Sequence, residues 1–193
     1  MKPKHRFPAL FTSCLLACTV CSSCSANRRA PSARQREAWF AVGVQQVTAD
    51  EDNFDLIGIS DEPGLALDGG LVVHRTADLE VGVEALAQYS KHDFVAVSGY
   101  ENATNLSLGA GLRLTPTRPW GGLAPFVRAG LLYQYVYEDV VDDDGVGLYA
   151  GLGFDAAVAP GLTFGPSLTY SVVEVDRAQI TQLSYGVRLG WSF

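Results

Sequence analysis

The chain has 193 residues, enough for one domain once any targeting segment is set aside and too few for two comfortable cores. Twenty glycines beside 8 Tyr, 9 Phe and 3 Trp, with a single Met, suit tight β packing better than a helical bundle. The formal charge is -7, and the first 17 residues hold Lys2, Lys4 and Arg6 but no acid, so the remainder carries 11 positive against 21 negative side chains; this excludes nucleic-acid binding as a general role.

The N-terminus reads as an address. Lys2, Lys4, His5 and Arg6 precede the short apolar run Ala9 to Ala17, the form of a secretory signal rather than a spanning helix. Two cleavage readings stand side by side. Leu15-Leu16-Ala17-Cys18 resembles a lipobox, which would leave Cys18 as the acylated first residue. Cleavage after Ala26 would instead use Cys24 and Ala26 as the small residues of an ordinary signal, within a targeting segment 1–26. Cys14, Cys18, Cys21 and Cys24 have a spacing that thiolate metal sites use, but the expected cleavage falls within or just after this run and no Cys lies downstream, so no metal and no cofactor is expected. Residues 27–37 include Arg28, Arg29, Arg34 and Arg36 without an apolar period, and are expected to form a periplasmic leader beside anionic headgroups.

From Ala38 to Phe193 one pattern repeats eight times: about ten residues with apolar side chains at alternate positions, then a turn or a polar connection. The runs are Ala38 to Val47, Leu65 to Arg75, Leu79 to Tyr89, Leu106 to Leu114, Pro125 to Tyr137, Val146 to Ala156, Leu162 to Val172 and Gln182 to Phe193. Connections at Thr76 to Asp78, Thr115 to Gly122 and Ala159 to Gly161 are short or rich in Pro and Gly. Those at Thr48 to Gly64, Ser90 to Asn105, Glu138 to Gly145 and Val173 to Thr181 are mostly longer and polar. Apart from the N-terminus no apolar run reaches the roughly 18 residues of a membrane helix, so a membrane crossing requires a closed barrel.

The two faces of the runs separate a membrane barrel from a soluble one. One face is almost wholly Leu, Val, Ala and aromatic; the other places Asp68, His74, Glu80, Glu84, Arg113, Arg128, Asp155 and Arg188 among glycines and hydroxyls. Eight strands enclose a space just wide enough for side chains, too narrow for every large apolar group of eight strands. Lipid therefore faces the apolar side, and the inward acids are expected to pair with the three arginines and His74. Tyr133, Tyr135, Tyr137, Tyr170, Tyr185, Trp191 and Phe193 lie near run ends, where interfacial girdles form. The fold expected is an all-β, eight-stranded, antiparallel up-and-down transmembrane barrel.

The last run, Tyr185-Gly-Val-Arg-Leu-Gly-Trp-Ser-Phe193, together with Ala124-Pro-Phe-Val-Arg-Ala-Gly-Leu and Gly147-Leu-Tyr-Ala-Gly-Leu-Gly-Phe154, resembles the small outer-membrane barrels of the OmpA/OmpX type, the outer membrane β-barrel domain family. The resemblance covers about four fifths of the chain. It implies residence in a Gram-negative outer membrane, contact with lipid and lipopolysaccharide, and handling by periplasmic chaperones and the barrel assembly machinery. Tyr185, Val187, Leu189, Trp191 and Phe193 would be the assembly signal. A monomer is expected, and a lipobox departs from most members.

Some barrels of this size modify lipids. Ser90 and His92 are two residues apart on one strand face, with Asp93 or Glu101 able to orient an imidazole, which makes them candidate residues of a lipid A or phospholipid hydrolase. Two polar residues at a strand end are also ordinary loop chemistry, and the surrounding motif does not match lipid A deacylases. Interior charges argue against a wide pore, leaving a narrow-conductance pore as a further alternative. The acids Asp50, Glu51, Asp52, Asp55, Asp61, Glu62, Glu138, Asp139, Asp142, Asp143 and Asp144 make the outer connections acidic, without an EF-hand pattern. The expected role is a non-enzymatic barrel serving envelope integrity or surface interaction.

Overall fold

In a computed structural model, residues 37–52, 62–96, 99–138, 142–175 and 178–193 are described, with side chains over 37–48, 62–91, 104–137, 144–174 and 179–193. The compact unit Gln35–Phe193 contains eight strands. They are β1 (Ala38–Asp52), β2 (Glu62–Arg75), β3 (Leu79–Ala96), β4 (Gly99–Pro116), β5 (Leu123–Glu138), β6 (Asp142–Ala159), β7 (Leu162–Val175) and β8 (Ala178–Ser192). Each pairs antiparallel with its sequence neighbours, and β8 pairs with β1, which closes the barrel. Closure satisfies every strand edge, the condition for sheet in lipid.

The closure is staggered. Following partners once round from Val42, through Leu67, Ala87, Leu108, Tyr133, Val146, Glu174 and Gln179, arrives at Asp52, ten residues further along β1. Such shear obliges the strands to tilt. It also brings residues from distant strands to one level inside, so the interior contacts are long-range.

The strands have 14 to 18 residues, longer than the roughly 9–11 that cross a bilayer. This corrects the expected loops. β3 and β4 stay in register as far as Ala96 and Gly99, so most of the connection Ser90 to Asn105 is paired hairpin. The polar stretches at the ends of β1, β5, β6, β7 and β8 are likewise strand. Backbone pairing continues past the apolar band because the ladder does not depend on which solvent surrounds the side chains.

The turn end is laced together. The Glu37 N–H donates to the Phe193 carbonyl at 2.7 Å, and the Phe193 N–H donates to that of Ala38 at 3.0 Å. The Thr117 N–H donates to the Asp78 carbonyl at 2.9 Å, joining two turns. Gly121 and Gly122 have φ of 60° and 91°, left-handed values that suit glycine in the tight connection between β4 and β5.

The outward face is apolar and exposed: Val146 is 62% exposed, Leu131 61% and Leu71 59%. Phe40, Phe154, Phe164 and Trp191 lie outward toward the turn end, and Phe40 stacks on Trp191 across the β8–β1 seam with centroids 6.2 Å apart. Tyr89, Tyr133, Tyr137 and Tyr170 lie outward toward the loop end. An apolar belt bounded by aromatic rings is what a bilayer solvates and water does not.

Inside, large rings lie on glycines. A Cβ added at Gly82 or Gly70 would strike the Trp39 indole, and one at Gly111 or Gly130 would strike Tyr149. The inward glycines of the sequence pattern thus make room for rings arriving from other strands. Leu86, Leu132, Tyr149 and Val173 form a small apolar cluster within the interior.

Candidate functional site

The candidate site is the charged plug inside the turn half of the barrel. Asp68 on β2, Glu84 on β3, Arg113 on β4, Arg128 on β5, Asp155 on β6 and Arg188 on β8 all face inward and are buried. Arg113 Nη2 donates to Asp155 Oδ2 at 2.5 Å. Arg188 spans both aspartates, with Nη1 3.1 Å from Asp68 Oδ2 and Nε 3.6 Å from Asp155 Oδ1. Asp68 also lies 3.8 Å from Arg113 Nη1 and 3.7 Å from Arg128 Nη1. Arg128 completes its position by donating from Nη2 to Thr169 Oγ1 at 2.6 Å.

Glu84 enters through a neighbour. The Tyr149 hydroxyl, whose ring rests on the β4–β5 glycines, donates to Glu84 Oε1 at 2.9 Å. Aromatic faces hold the guanidinium planes from the other side: Arg113 lies 3.8 Å from the Phe126 centroid and 5.1 Å from that of Trp39, and Arg188 lies 4.8 Å from Phe126. Three arginines against three acids, with cation–π contacts, form a plug whose charges are spent on one another.

His74 is placed differently from the sequence expectation. The β2–β3 register shifts between Val72 and His74, so His74 sits opposite Val81 on the outward side and is exposed. One extra residue in a period-two strand reverses the facing of everything beyond it. Arg75 takes the inward position, opposite Glu80, and its Nε lies 3.0 Å from Glu80 Oε1. The expected pairing of the acids with His74 is therefore replaced by an Arg75–Glu80 pair near the turn end.

Sequence reading passed over Arg75, Phe126, Trp39 and Leu86 as interior groups. Arg75 was hidden by the bulge. The doublets Ala85-Leu86 and Leu131-Leu132 do carry a signal, since two adjacent apolar residues on a strand must occupy both faces.

Toward the loop end the interior changes character. Gln45, Gln88, Asn105, Ser107, Gln134, Ser171, Gln182 and Ser184 are buried and uncharged, and Gln88 Nε2 donates to Gln45 Oε1 at 3.4 Å. Ser90 faces this interior, is 4% exposed, and stands opposite Asn105. The His92 backbone pairs with Ala103, and its side chain lies outside the described residues, as do those of Asp93 and Glu101. Tyr185, Val187, Leu189 and Trp191 lie on the outward side of β8, and Phe193 is tied into the turn end. Cys18 lies outside the described residues.

No curated protein matches the sequence significantly. Solved structures do share the fold. OprG from Pseudomonas aeruginosa aligns with a TM-score of 0.58 at 14% identity, covering 82% of this chain and 97% of that one. Neisserial surface protein A gives 0.55 at 19% identity, over 81% and 97% of the two chains. Ail, the attachment invasion locus protein of Yersinia pestis, solved in complex with the heparin analogue sucrose octasulfate, gives 0.54 at 14% identity over 81% and 99%. The family model described as outer membrane protein beta-barrel domain matches residues 14–193, nearly the whole sequence. With that match, a closed eight-stranded barrel, an apolar belt and an interior plug, the chain belongs to the outer membrane protein beta-barrel domain family and resides in the outer membrane.

Proposed function

We propose that this barrel is non-enzymatic and serves envelope integrity or surface interaction through its acidic loop end. The observation that carries the reading is the plug: Asp68 and Asp155 are paired with Arg113 and Arg188, and Glu84 accepts from the Tyr149 hydroxyl, so the buried acids that a catalytic or conducting interior would use already have partners. Ser90 is buried in the wall and has a partner of its own, an environment unlike that of an accessible nucleophile. The recognition surface would be the strand ends around Asp50–Asp52, Glu62, Glu138 and Asp142–Asp144, where Asp144 accepts from the Tyr133 hydroxyl at 2.9 Å. Its partners would be lipopolysaccharide and other surface molecules, with assembly by the barrel machinery and periplasmic chaperones, and a monomeric barrel is sufficient for the role.

Two measurements test this. Lipid A from cells overproducing the wild type or His92→Ala is expected to show the same acylation by mass spectrometry; deacylation by the wild type that His92→Ala abolishes would establish the hydrolase instead. Proteoliposomes are expected to swell in sugar solutions no faster than protein-free vesicles, and rapid swelling would favour a pore.

The same proposal includes an N-terminal export signal processed at Cys18. The thiol would displace the phosphate-bearing headgroup of a diacylglycerol phospholipid, forming a thioether and releasing the headgroup with the thiol proton; hydrolysis would then cut Ala17–Cys18. Glu37 is tied beside Phe193 at the turn end, which this reading puts on the periplasmic side, and acyl chains on Cys18 would insert into the leaflet that faces the periplasm. Labelled palmitate is expected in the wild type and absent in Cys18→Ser. Equal labelling of both, or of neither, would point to cleavage after Ala26 or to another site.

A further inference from the structure

We propose that the outer rim of the turn end binds the headgroup of a phosphatidylethanolamine molecule, with the phosphate at His74 and Arg118 and the ammonium at Asp78. The bulge in β2 motivates the assignment. In an unbroken strand His74 would face inward and Arg75 outward; the register shift between Val72 and His74 instead leaves His74 exposed on the outward side, opposite Val81. Bulges re-aim side chains in this way. Two hydrogen bonds bring the other groups to the same rim. The Thr117 hydroxyl donates to the Thr76 carbonyl at 3.2 Å, and the Thr117 N–H donates to the Asp78 carbonyl at 2.9 Å. Arg118 therefore follows directly on a residue bonded to both ends of the turn that carries Asp78.

The charges select the headgroup. His74, Asp78 and Arg118 are exposed, and among the described residues none of them forms an ion pair, whereas Arg75 and Glu80 of the same hairpin pair with each other. A guanidinium and an imidazole N–H both donate to phosphate oxygens. A carboxylate between them and the solvent calls for a donor cation, which the primary ammonium of phosphatidylethanolamine supplies. The quaternary ammonium of phosphatidylcholine has no N–H to give, and phosphatidylglycerol brings no cation to Asp78. The surface beside the three groups is apolar: Leu79 and Leu123 are exposed, and Trp120, bridged to Leu123 and two residues beyond Arg118, is 68% exposed. An exposed indole there suits the level where acyl chains meet headgroups. Short turns of such barrels face the periplasm, where phospholipid forms the leaflet.

Tryptophan quenching by lipids brominated on their acyl chains tests the site, with the full chain folded into phosphatidylcholine vesicles. Subtracting the signal of Trp120→Phe isolates Trp120 from Trp39 and Trp191. At equal mole fraction, brominated phosphatidylethanolamine is expected to quench Trp120 several-fold more than brominated phosphatidylcholine or phosphatidylglycerol. Asp78→Asn, which removes the charge and keeps the shape, is expected to bring phosphatidylethanolamine down to the level of phosphatidylcholine. His74→Gln combined with Arg118→Gln is expected to do the same, and keeps the test decisive if Asp78→Asn does not yield a heat-modifiable barrel. Equal quenching by phosphatidylethanolamine and phosphatidylcholine would overturn the proposal, as would a preference that persists in a correctly folded variant. Phosphatidylglycerol quenching as strongly as phosphatidylethanolamine would overturn it too, because phosphate alone would then be bound. The measurement is independent of what the acidic loop end recognises, so its failure leaves the proposed function standing.

Discussion

Asp155→Ala is expected to lower the unfolding free energy by roughly 3–5 kcal/mol, the range for removing one partner from a buried charge network. Asp155 is 4% exposed and holds Arg113 at 2.5 Å while lying 3.6 Å from Arg188. Its loss leaves three buried guanidinium groups with Asp68 and Glu84 as the remaining acids of the plug. Asp68 already lies within 4 Å of all three arginines and cannot replace a second carboxylate. Urea titration of the detergent-folded protein, followed by tryptophan fluorescence, measures the loss. Asp155→Asn keeps one acceptor oxygen and is expected to lose less. A loss below about 1 kcal/mol for the alanine variant, the range of an exposed ion pair, would show that the plug does not hold the barrel. Asp68→Ala combined with Asp155→Ala should depart from additivity, because both carboxylates contact Arg113 and Arg188.

Leu131→Arg is expected to cost roughly 2–4 kcal/mol, although the residue is 61% exposed. In water, substitutions at so open a position stay within about 0.5 kcal/mol. Leu131 lies midway along the outward face of β5, between Pro125 near the turn end and Tyr137 at the loop end, so a charge there meets the middle of the hydrocarbon. Tyr137→Arg, on the same face, is expected to cost only about 0–1 kcal/mol because the guanidinium reaches headgroups. Equilibrium folding into lipid vesicles compares the two. Equal small costs would mean that the apolar belt is not where the bilayer sits.

Much of this molecule is legible one strand at a time. Alternation of Leu106, Leu108, Ala110, Leu112 and Leu114 with Ser107, Gly109, Gly111 and Arg113 is a local property, and in β4 the chain follows it without interruption. The same pattern marks Asp68, Glu84, Arg128, Asp155 and Arg188 as sharing the glycine-rich face, because a strand reverses its side chains at every residue. Where the pattern ends is less legible: the polar connection after Ser90 reads as loop, yet it pairs as strand, since ladder hydrogen bonds are made by backbone whatever the side chains.

His74 and Arg75 show the limit in a single step. Nothing in the stretch Leu71 to Arg75 announces a bulge, because one inserted residue leaves composition and apolar content unchanged while reversing which of the two neighbours faces inward. Interior partners are equally nonlocal. Arg113 and Asp155 are 42 residues apart and Tyr149 and Glu84 are 65 apart, and the stagger of the closed sheet, rather than any spacing in the chain, brings them together. The amino-acid sequence by itself determined the period of two, the lipid-facing belt and the alternating last run Gln182 to Phe193. Only the tertiary structure decided which inward charges meet, that Arg75 replaces His74, and that Trp39 lies over Gly70 and Gly82, because those choices follow from barrel shear and one register shift.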